Sequence, residues 1–448
     1  MHTDLEGLTA ALLDAARKAG ADSADALAVA GTSVSIDVRM GKLEQAERAE
    51  GIDIGLRVLL GQRQACVSAS DISGGTITAM AERAVAMARE APQDPTCGLA
   101  DPAQLAKNWD VAALDLADPS AEPTPAALQE AALQAEAAAL RHKGISKVDS
   151  AGAGYSQRQM FLAASNGFAG GYGRTGHGLS CVAITGDGTG MERDYYGDSR
   201  IYHSDMIDPD TIGRIAAERT LARAGAHKPR TGAFPVLFDE RISSSLIGHL
   251  LAAVNGASIA RGSSWLRDAL GAQVLPSGLS LHENPLRPRI AGSRPFDGEG
   301  LASQPRMIVA DGQLQGWTLD LAAGRKLGMA STANAARGTS SPPSPSTTNV
   351  ALTQGTDSRA ALMAQMGTGL LVTSLIGSSI NPTTGDYSRG ASGFWIEGGQ
   401  ISHAVNECTI AGNLRDMLMR MIPANDARTH LSTVVPSLLV EGMTLAGA

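Results

Sequence analysis

Apolar residues recur at helical spacing over residues 4–19, where Leu5, Leu8, Leu12 and Ala16 share one face and Gly20 is placed to end the helix. The period then drops to two. Val34, Ile36, Val38 and Met40 alternate with polar neighbours, Gly41-Lys42 suits a turn, and Ile52, Ile54, Leu56, Val58 and Leu60 alternate again until Gly61. Such alternation predicts antiparallel strands packed on one face, with a helix over 76–90 to cover them. From Pro92 to Pro125 the pattern fades into a connector of about 92–125, dense in Asp and Pro. Residues 126–141 are rich in strong helix formers and stop at Gly144. Strands are expected over 146–155, 160–164 and 179–185, with a turn at Asn166-Gly167, and a helix over 209–224 closes this half.

Lys228-Pro229-Arg230-Thr231-Gly232 reads as the main boundary. Beyond it a strand over 234–238 precedes a helix over 240–254, on which Ile242, Leu246, His249, Leu250 and Ala253 stand at helical spacing. A short helix is expected near Trp265, and 282–300 reads as loop. Asp311-Gly312 predicts a hairpin between strands 306–310 and 313–319. Pro342, Pro343 and Pro345 rule out regular structure over 337–348. Strands over 349–353 and 369–376 follow, and 431–442 supplies the last one. The fold class is therefore α+β: an N-terminal α+β domain with antiparallel strands, residues 1–228, and a β-rich C-terminal domain, residues 229–448.

The densest stretch is 377–418. A polar, glycine-rich loop carries Asp386, Tyr387, Ser388 and Arg389 at its mouth, and a strand over 392–397 follows. Gly398-Gly399 suits a two-residue turn with positive φ, a return strand runs over 400–408, and helix resumes with Leu414, Met417, Leu418 and Met421. Asp386 and Arg389, three residues apart, are expected to meet across the loop as a buried ion pair, with the Tyr387 hydroxyl in the same network. Phe394-Trp395 reads either as an interface anchor or as two core rings on opposite strand faces.

Composition narrows the function. The 448 residues are 43% hydrophobic and 18% charged, with a net charge of −8. No Lys/Arg-rich run exists to bind nucleic acid directly, and no apolar run reaches membrane-spanning length. The N-terminus lacks a basic start, an apolar core and a cleavage site, and Cys66, Cys97, Cys181 and Cys408 are far apart. A cytoplasmic protein with reduced thiols is the expectation. The glycine-rich piece 167–178 is no phosphate loop, because neither a P-loop Lys nor a helix follows it.

A hydrolytic metal site needs His and carboxylate ligands on a rigid element. His249 is followed by Leu250, Leu251, Ala252, Ala253 and Val254, none of which binds a metal or moves a proton. His282-Glu283 runs into Asn284-Pro285 and cannot begin a zinc-binding helix. His403 and Cys408, five apart on one strand, point to opposite faces and make no local dyad.

The runs TGDYSRGASGFWIE (384–397), GLSLHENPL (278–286), SRPFDGEG (293–300) and LAAGRKLG (321–328) resemble the TldD/TldE peptidase family, most closely its TldE or PmbA branch, once described as a modulator of DNA gyrase. The resemblance covers nearly the whole chain. It implies a cytoplasmic metalloprotease complex in which a TldD-type subunit carries zinc on an H-E-x-x-x-H helix, degrading peptides and unfolded segments and processing peptide precursors. Here that helix keeps the first His at His249 but has Leu250 for the base and Val254 for the second His, so the metal chemistry does not carry over. Ala333 stands where the family's corresponding run is expected to have Gly.

The expectation is a chain with no metal or cofactor of its own, paired with a TldD-type partner or with itself, and holding an extended peptide or unfolded protein segment. His249, Asp386, Tyr387 and Arg389 are its cleft candidates. The rival readings are a self-sufficient hydrolase with a non-standard site and a non-enzymatic modulator that binds gyrase.

Overall fold

The computed structural model describes residues 4–447. Helix α1 (Leu5–Lys18) starts where the Asp4 carboxylate accepts the Gly7 N–H. Two long strands follow, β1 (Ser23–Arg39) and β2 (Lys42–Leu60), with β3 (Arg63–Ala69) beyond β2. Their turn is Met40-Gly41, one residue earlier than predicted, because Met40 (φ 55°) and Gly41 (φ 69°) both take the left-handed region that tight hairpins require. Helix α2 (Gly74–Glu90) is capped by Ser73, and α3 (Val111–Leu114) is a single turn within the connector. After α4 (Pro125–Leu140) come β4 (Ile145–Ala164), β5 (Ala169–Thr185), β6 (Glu192–Arg200) and α5 (Pro209–Ala222).

These strands form one antiparallel sheet in the order β3-β2-β1-β4-β5-β6. Residues 146–155 and 160–164 belong to a single strand, and most of the glycine-rich 167–178 lies inside β5. Glycine weakens the period-two signal, so pairing on both sides, rather than propensity, sets these strands.

The two faces of the sheet differ sharply. Ala24, Ala26 and Ala28 pack under α1 and α2, while Val34, Ile36 and Val38 pack under α4 and α5. On the opposite face Leu27 and Leu162 meet Phe168 and Phe296. Further along that face almost no side chains stand up: Gly154 lies between Ser35 and Gly178, and Gly152 between Asp37 and Ser180. Residues 42–53 of β2 have no strand on their outer side among the described residues.

The second half begins with β7 (Gly232–Phe238), α6 (Glu240–Ala253) and the short α7 (Gly256–Ala260). Short strands β8 (Leu281–Glu283), β9 (Arg306–Ala310) and β10 (Gln313–Leu314) precede α8 (Leu321–Leu327). A two-residue pairing of β11 (Ala335–Ala336) with β12 (Ser344–Pro345) interrupts the proline-rich segment, and β13 (Val350–Leu352) and α9 (Arg359–Met366) follow it. The last third holds β14 (Gly369–Ile380), β15 (Asp386–Glu397), β16 (Gln400–Asn413), α10 (Leu414–Met419), β17 (Met421–Pro423), β18 (Thr433–Val434) and β19 (Leu438–Ala446). The large sheet runs β16-β15-β14-β7-β19-β17 and curls until β16 also pairs with β19. The smaller sheet runs β10-β9-β8-β13-β18.

A large core of side chains from both sheets and α6 fills the space between them. Trp395 lies in that core and Phe394 in a separate cluster with Leu362 and Leu371, so both rings are core and neither anchors an interface. No helix forms near Trp265; its N–H donates to the Pro382 carbonyl at 2.8 Å and its ring is buried, a tertiary tie that overrides local propensity. The second strand of the Asp311-Gly312 hairpin stops at Leu314, and the last strand starts at Leu438 rather than near 431.

Buried charges join the halves. Asp25 on β1 accepts from Arg57 on β2 at 2.7 Å and is also paired with Arg337 from the second half. Those two guanidinium groups outweigh burial and hold the Asp25 carboxyl below the usual range. Glu299, in the same junction, accepts the Leu321 N–H at 2.9 Å. Its burial and then the neighbouring Asp297 push its pKa up to about 8.

Candidate functional site

Helix α6 owes its position to its first turn. Asp239 caps it by accepting the Arg241 N–H, and the Arg241 guanidinium reaches Asp194 of β6 at 3.1 Å. Arg223 joins the network through Glu192 (3.4 Å) and the Ser392 hydroxyl (2.9 Å). These ties hold one end of α6 and strand β15 of the large sheet against the N-terminal sheet. Between them opens a cleft of about 1120 Å³, lined by Arg223, Arg241, Ser245, Thr373 and Arg389 among others.

Ser245 of α6 lines the cleft, and His249 stands one turn further along the helix. The Ser245 hydroxyl, His249 Nε2, the Thr373 hydroxyl and the Tyr387 hydroxyl are all buried, and none has a hydrogen-bond partner among the described residues. The Tyr387 ring meets the His249 ring edge-on at 5.8 Å between centroids. Burial, with a smaller push from the Arg389 charge, lowers the His249 pKa, which keeps the ring neutral. Burial raises the Tyr387 pKa, so its phenol keeps its proton.

The structure therefore gathers three of the four predicted residues, His249, Tyr387 and Arg389, and separates Asp386 from them. Residues 386–389 are not a loop but the start of β15, on which positions three apart face opposite ways. Asp386 is exposed; it accepts from the Thr384 hydroxyl at 2.6 Å and from the Asn413 amide at 3.2 Å, and those bonds lower its pKa. Arg389 donates its Nε–H to the Gly377 carbonyl at 2.8 Å instead. The expected Asp386–Arg389 pair does not form, and Tyr387 joins no such network. Ser245 and Thr373 escaped the sequence reading because a hydroxyl residue on an amphipathic helix, or at the β-bulge beside Thr373, carries no pattern of its own.

The donors around His249 do not fit a zinc ion. Leu250 and Val254 are fully buried in the core, and the Cys408 thiol bonds the Ala391 carbonyl at 3.2 Å while burial pushes its pKa up to about 11. Among the described residues no three His, Cys, Asp or Glu side chains come together as a metal set.

A second groove, of about 700 Å³, runs over Gly152, Gly154, Gly176 and Gly178 and is walled by Arg428 and His430. It meets the cleft at Tyr195, which lines both.

Comparison with known proteins places this geometry. Residues 24–88, 118–224 and 231–447 match the models of domain 1, the central domain and the C-terminal domain of the PmbA/TldA metallopeptidases. Over 428 residues the chain is 36% identical to the metalloprotease PmbA of Escherichia coli O157:H7, covering 95% of this chain and 92% of that one. A PmbA homolog from Haemophilus influenzae is 37% identical over 439 residues, 97% of this chain and 94% of that one. The crystal structure of a proposed modulator of DNA gyrase from Bacteroides thetaiotaomicron VPI-5482 superposes over the full length of both chains with a TM-score of 0.92 at 26% identity. TldE from Thermococcus kodakarensis shares the fold, with a TM-score of 0.84 at 18% identity over 98% of this chain and all of that one.

Proposed function

The chain belongs to the PmbA/TldD metallopeptidase family, and from that premise we propose that it is the metal-free subunit of a two-chain cytoplasmic peptidase. Its two halves, 1–228 and 229–448, hold an extended peptide or unfolded segment between them, and a TldD-type partner brings the zinc and the base. The observation that carries this reading is the wall of the cleft. It presents unpartnered hydroxyls from Ser245 and Thr373, yet among the described residues no carboxylate base or set of metal donors stands beside His249. A site of that kind binds without cleaving.

The glycine-lined groove that meets the cleft at Tyr195 supports the same reading. A backbone laid over Gly152, Gly154, Gly176 and Gly178 meets few side chains, so a fit over this face is nearly blind to sequence.

The test is cleavage of an unfolded protein substrate by this chain, by a TldD-type chain, and by the two together, with metal analysis of each. The expected result is turnover by the mixture, none by this chain alone, and no stoichiometric zinc or iron in it. Turnover by this chain alone, with about one metal per chain lost on His249→Ala, would overturn the proposal.

A further inference from the structure

Four arginines and three carboxylates line the cleft: Arg193, Arg223, Arg241 and Arg389 against Asp149, Glu192 and Asp194. Three of the arginines are answered. Arg193 faces Asp149 at 3.8 Å, Arg223 faces Glu192 at 3.4 Å, and Arg241 faces Asp194 at 3.1 Å. Arg389 makes no ion pair among the described residues, and its recorded hydrogen bond uses only Nε, to the Gly377 carbonyl. A guanidinium has five N–H donors, so four remain.

Two further donors line the same cleft. The Thr373 side chain is only 3% exposed, and its hydroxyl, like that of Ser245, has no partner. A buried hydroxyl without a partner costs stability, and a lone cation facing a cleft adds to a surplus of positive charge there. Donors of this kind, sharing one cleft with a cation, match a planar anion that accepts several hydrogen bonds at once.

We propose that Arg389 anchors a carboxylate of the bound peptide, with the Thr373 and Ser245 hydroxyls as accessory donors. The proposal rests on the reading of the cleft as a peptide site, and it adds polarity to that site. A chain held by its free C-terminus enters in one direction, and one held by an acidic side chain is fixed in register. Arg389 would thus set the substrate's orientation, with main-chain contacts supplying the rest.

Binding measured by fluorescence anisotropy tests it, using short N-terminally labelled peptides of Ala and Leu. The peptides are the free acid, the C-terminal amide, and amides carrying one internal Asp or one internal Asn. Each is titrated against the full chain, alone and with its TldD-type partner. The expected result is that amidation weakens binding about tenfold, the size of one charge-assisted pair. Arg389→Gln should then bring the free acid down to the level of the amide and leave the amide unchanged. Arg389→Lys should recover part of the difference. A purely structural Arg389 would weaken acid and amide alike.

If the internal Asp restores binding to the amide and Asn does not, the carboxylate comes from a side chain. If only the free acid gains, it is the C-terminus. Equal binding of all four peptides, abolished by Ser245→Trp, would overturn the carboxylate anchor and leave the peptide cleft standing. No binding of any peptide to chain or complex would sink both. The acid–amide comparison on the unaltered protein decides the matter even if the Arg389 variants fail to fold.

Discussion

Single residues show where this chain carries strain. Ala333 holds φ at 56°, a region that costs an L-residue roughly 1–2 kcal/mol and glycine almost nothing. Ala333→Gly should therefore raise stability by up to about 1 kcal/mol, after allowing for the greater freedom of glycine in the unfolded chain. A thermal melt that moves down instead would show that the methyl group makes a contact worth more than the strain. Tyr387 is strained in another sense, since its buried hydroxyl bonds nothing. Tyr387→Phe should leave the melting temperature unchanged or raise stability by about 1 kcal/mol, because an unsatisfied group is removed. A melting temperature lowered by several degrees would instead reveal a structural bond. At this scale the sequence was half legible. His249 and Arg389 stood out by type and motif, and the failed Asp386–Arg389 pair follows from reading strand residues as a turn. The Asp25–Arg57–Arg337 junction was illegible, because Arg337 lies 312 positions from Asp25 and nothing local marks the three.

Elements were read best where one face is buried under helix or sheet. Helices α1, α2, α4, α5 and α6 lie within a few residues of their expected bounds, since each has an apolar stripe and a capping residue before it. Strands β4 and β5 were cut short in prediction because one face of the sheet carries glycine and serine where a buried face would carry Val or Ile. The β15–β16 hairpin was located by Gly398-Gly399 alone, and both residues do take positive φ, 58° and 77°. They differ in what surrounds them. A Cβ on Gly398 would meet nothing within 4 Å, whereas one on Gly399 would lie 2.7 Å from the Ala364 Cα on α9. Gly398→Asn should thus be nearly neutral, Asn being at home in this turn. Gly399→Ala should cost about 2 kcal/mol or more, from combined strain and overlap. Urea midpoints of the two variants compare them directly, and equal midpoints would mean that α9 is free to move away.

At the scale of the whole molecule, the junction of the halves couples stability to pH. The Glu299 carboxyl has its pKa raised to about 8 in the folded protein, well above the ordinary range of an unfolded glutamate. The folded state therefore binds this proton more tightly than the unfolded chain does. Glu299 thus favours folding at low pH, and its contribution falls as pH rises from about 4.5 to 8. Asp25 acts in the opposite sense: its lowered pKa supports folding above the unfolded value and is lost on acidification. Glu299→Gln, which keeps an acceptor for the Leu321 N–H, should match the parent near pH 5 and exceed it at pH 9, by roughly 4 kcal/mol at most. Denaturant titrations at the two pH values check this, and a constant difference would show that the group is ionised throughout. Composition fixes none of it; only the folded chain brings Glu299, Asp297 and Arg57 together.

The outer side of β2 has a consequence for how the protein behaves in bulk. Along residues 42–53 a row of backbone donors and acceptors is unpaired on its outer side among the described residues, the kind of edge on which a second chain can grow. Glu44, Glu47, Glu50 and Asp53 outnumber Lys42 and Arg48 along it, so two copies brought edge to edge repel at neutral pH. That repulsion is colloidal insurance, and it depends on ionised carboxylates. Acidified samples should then cloud through stacking of β-edges, before the core itself gives way.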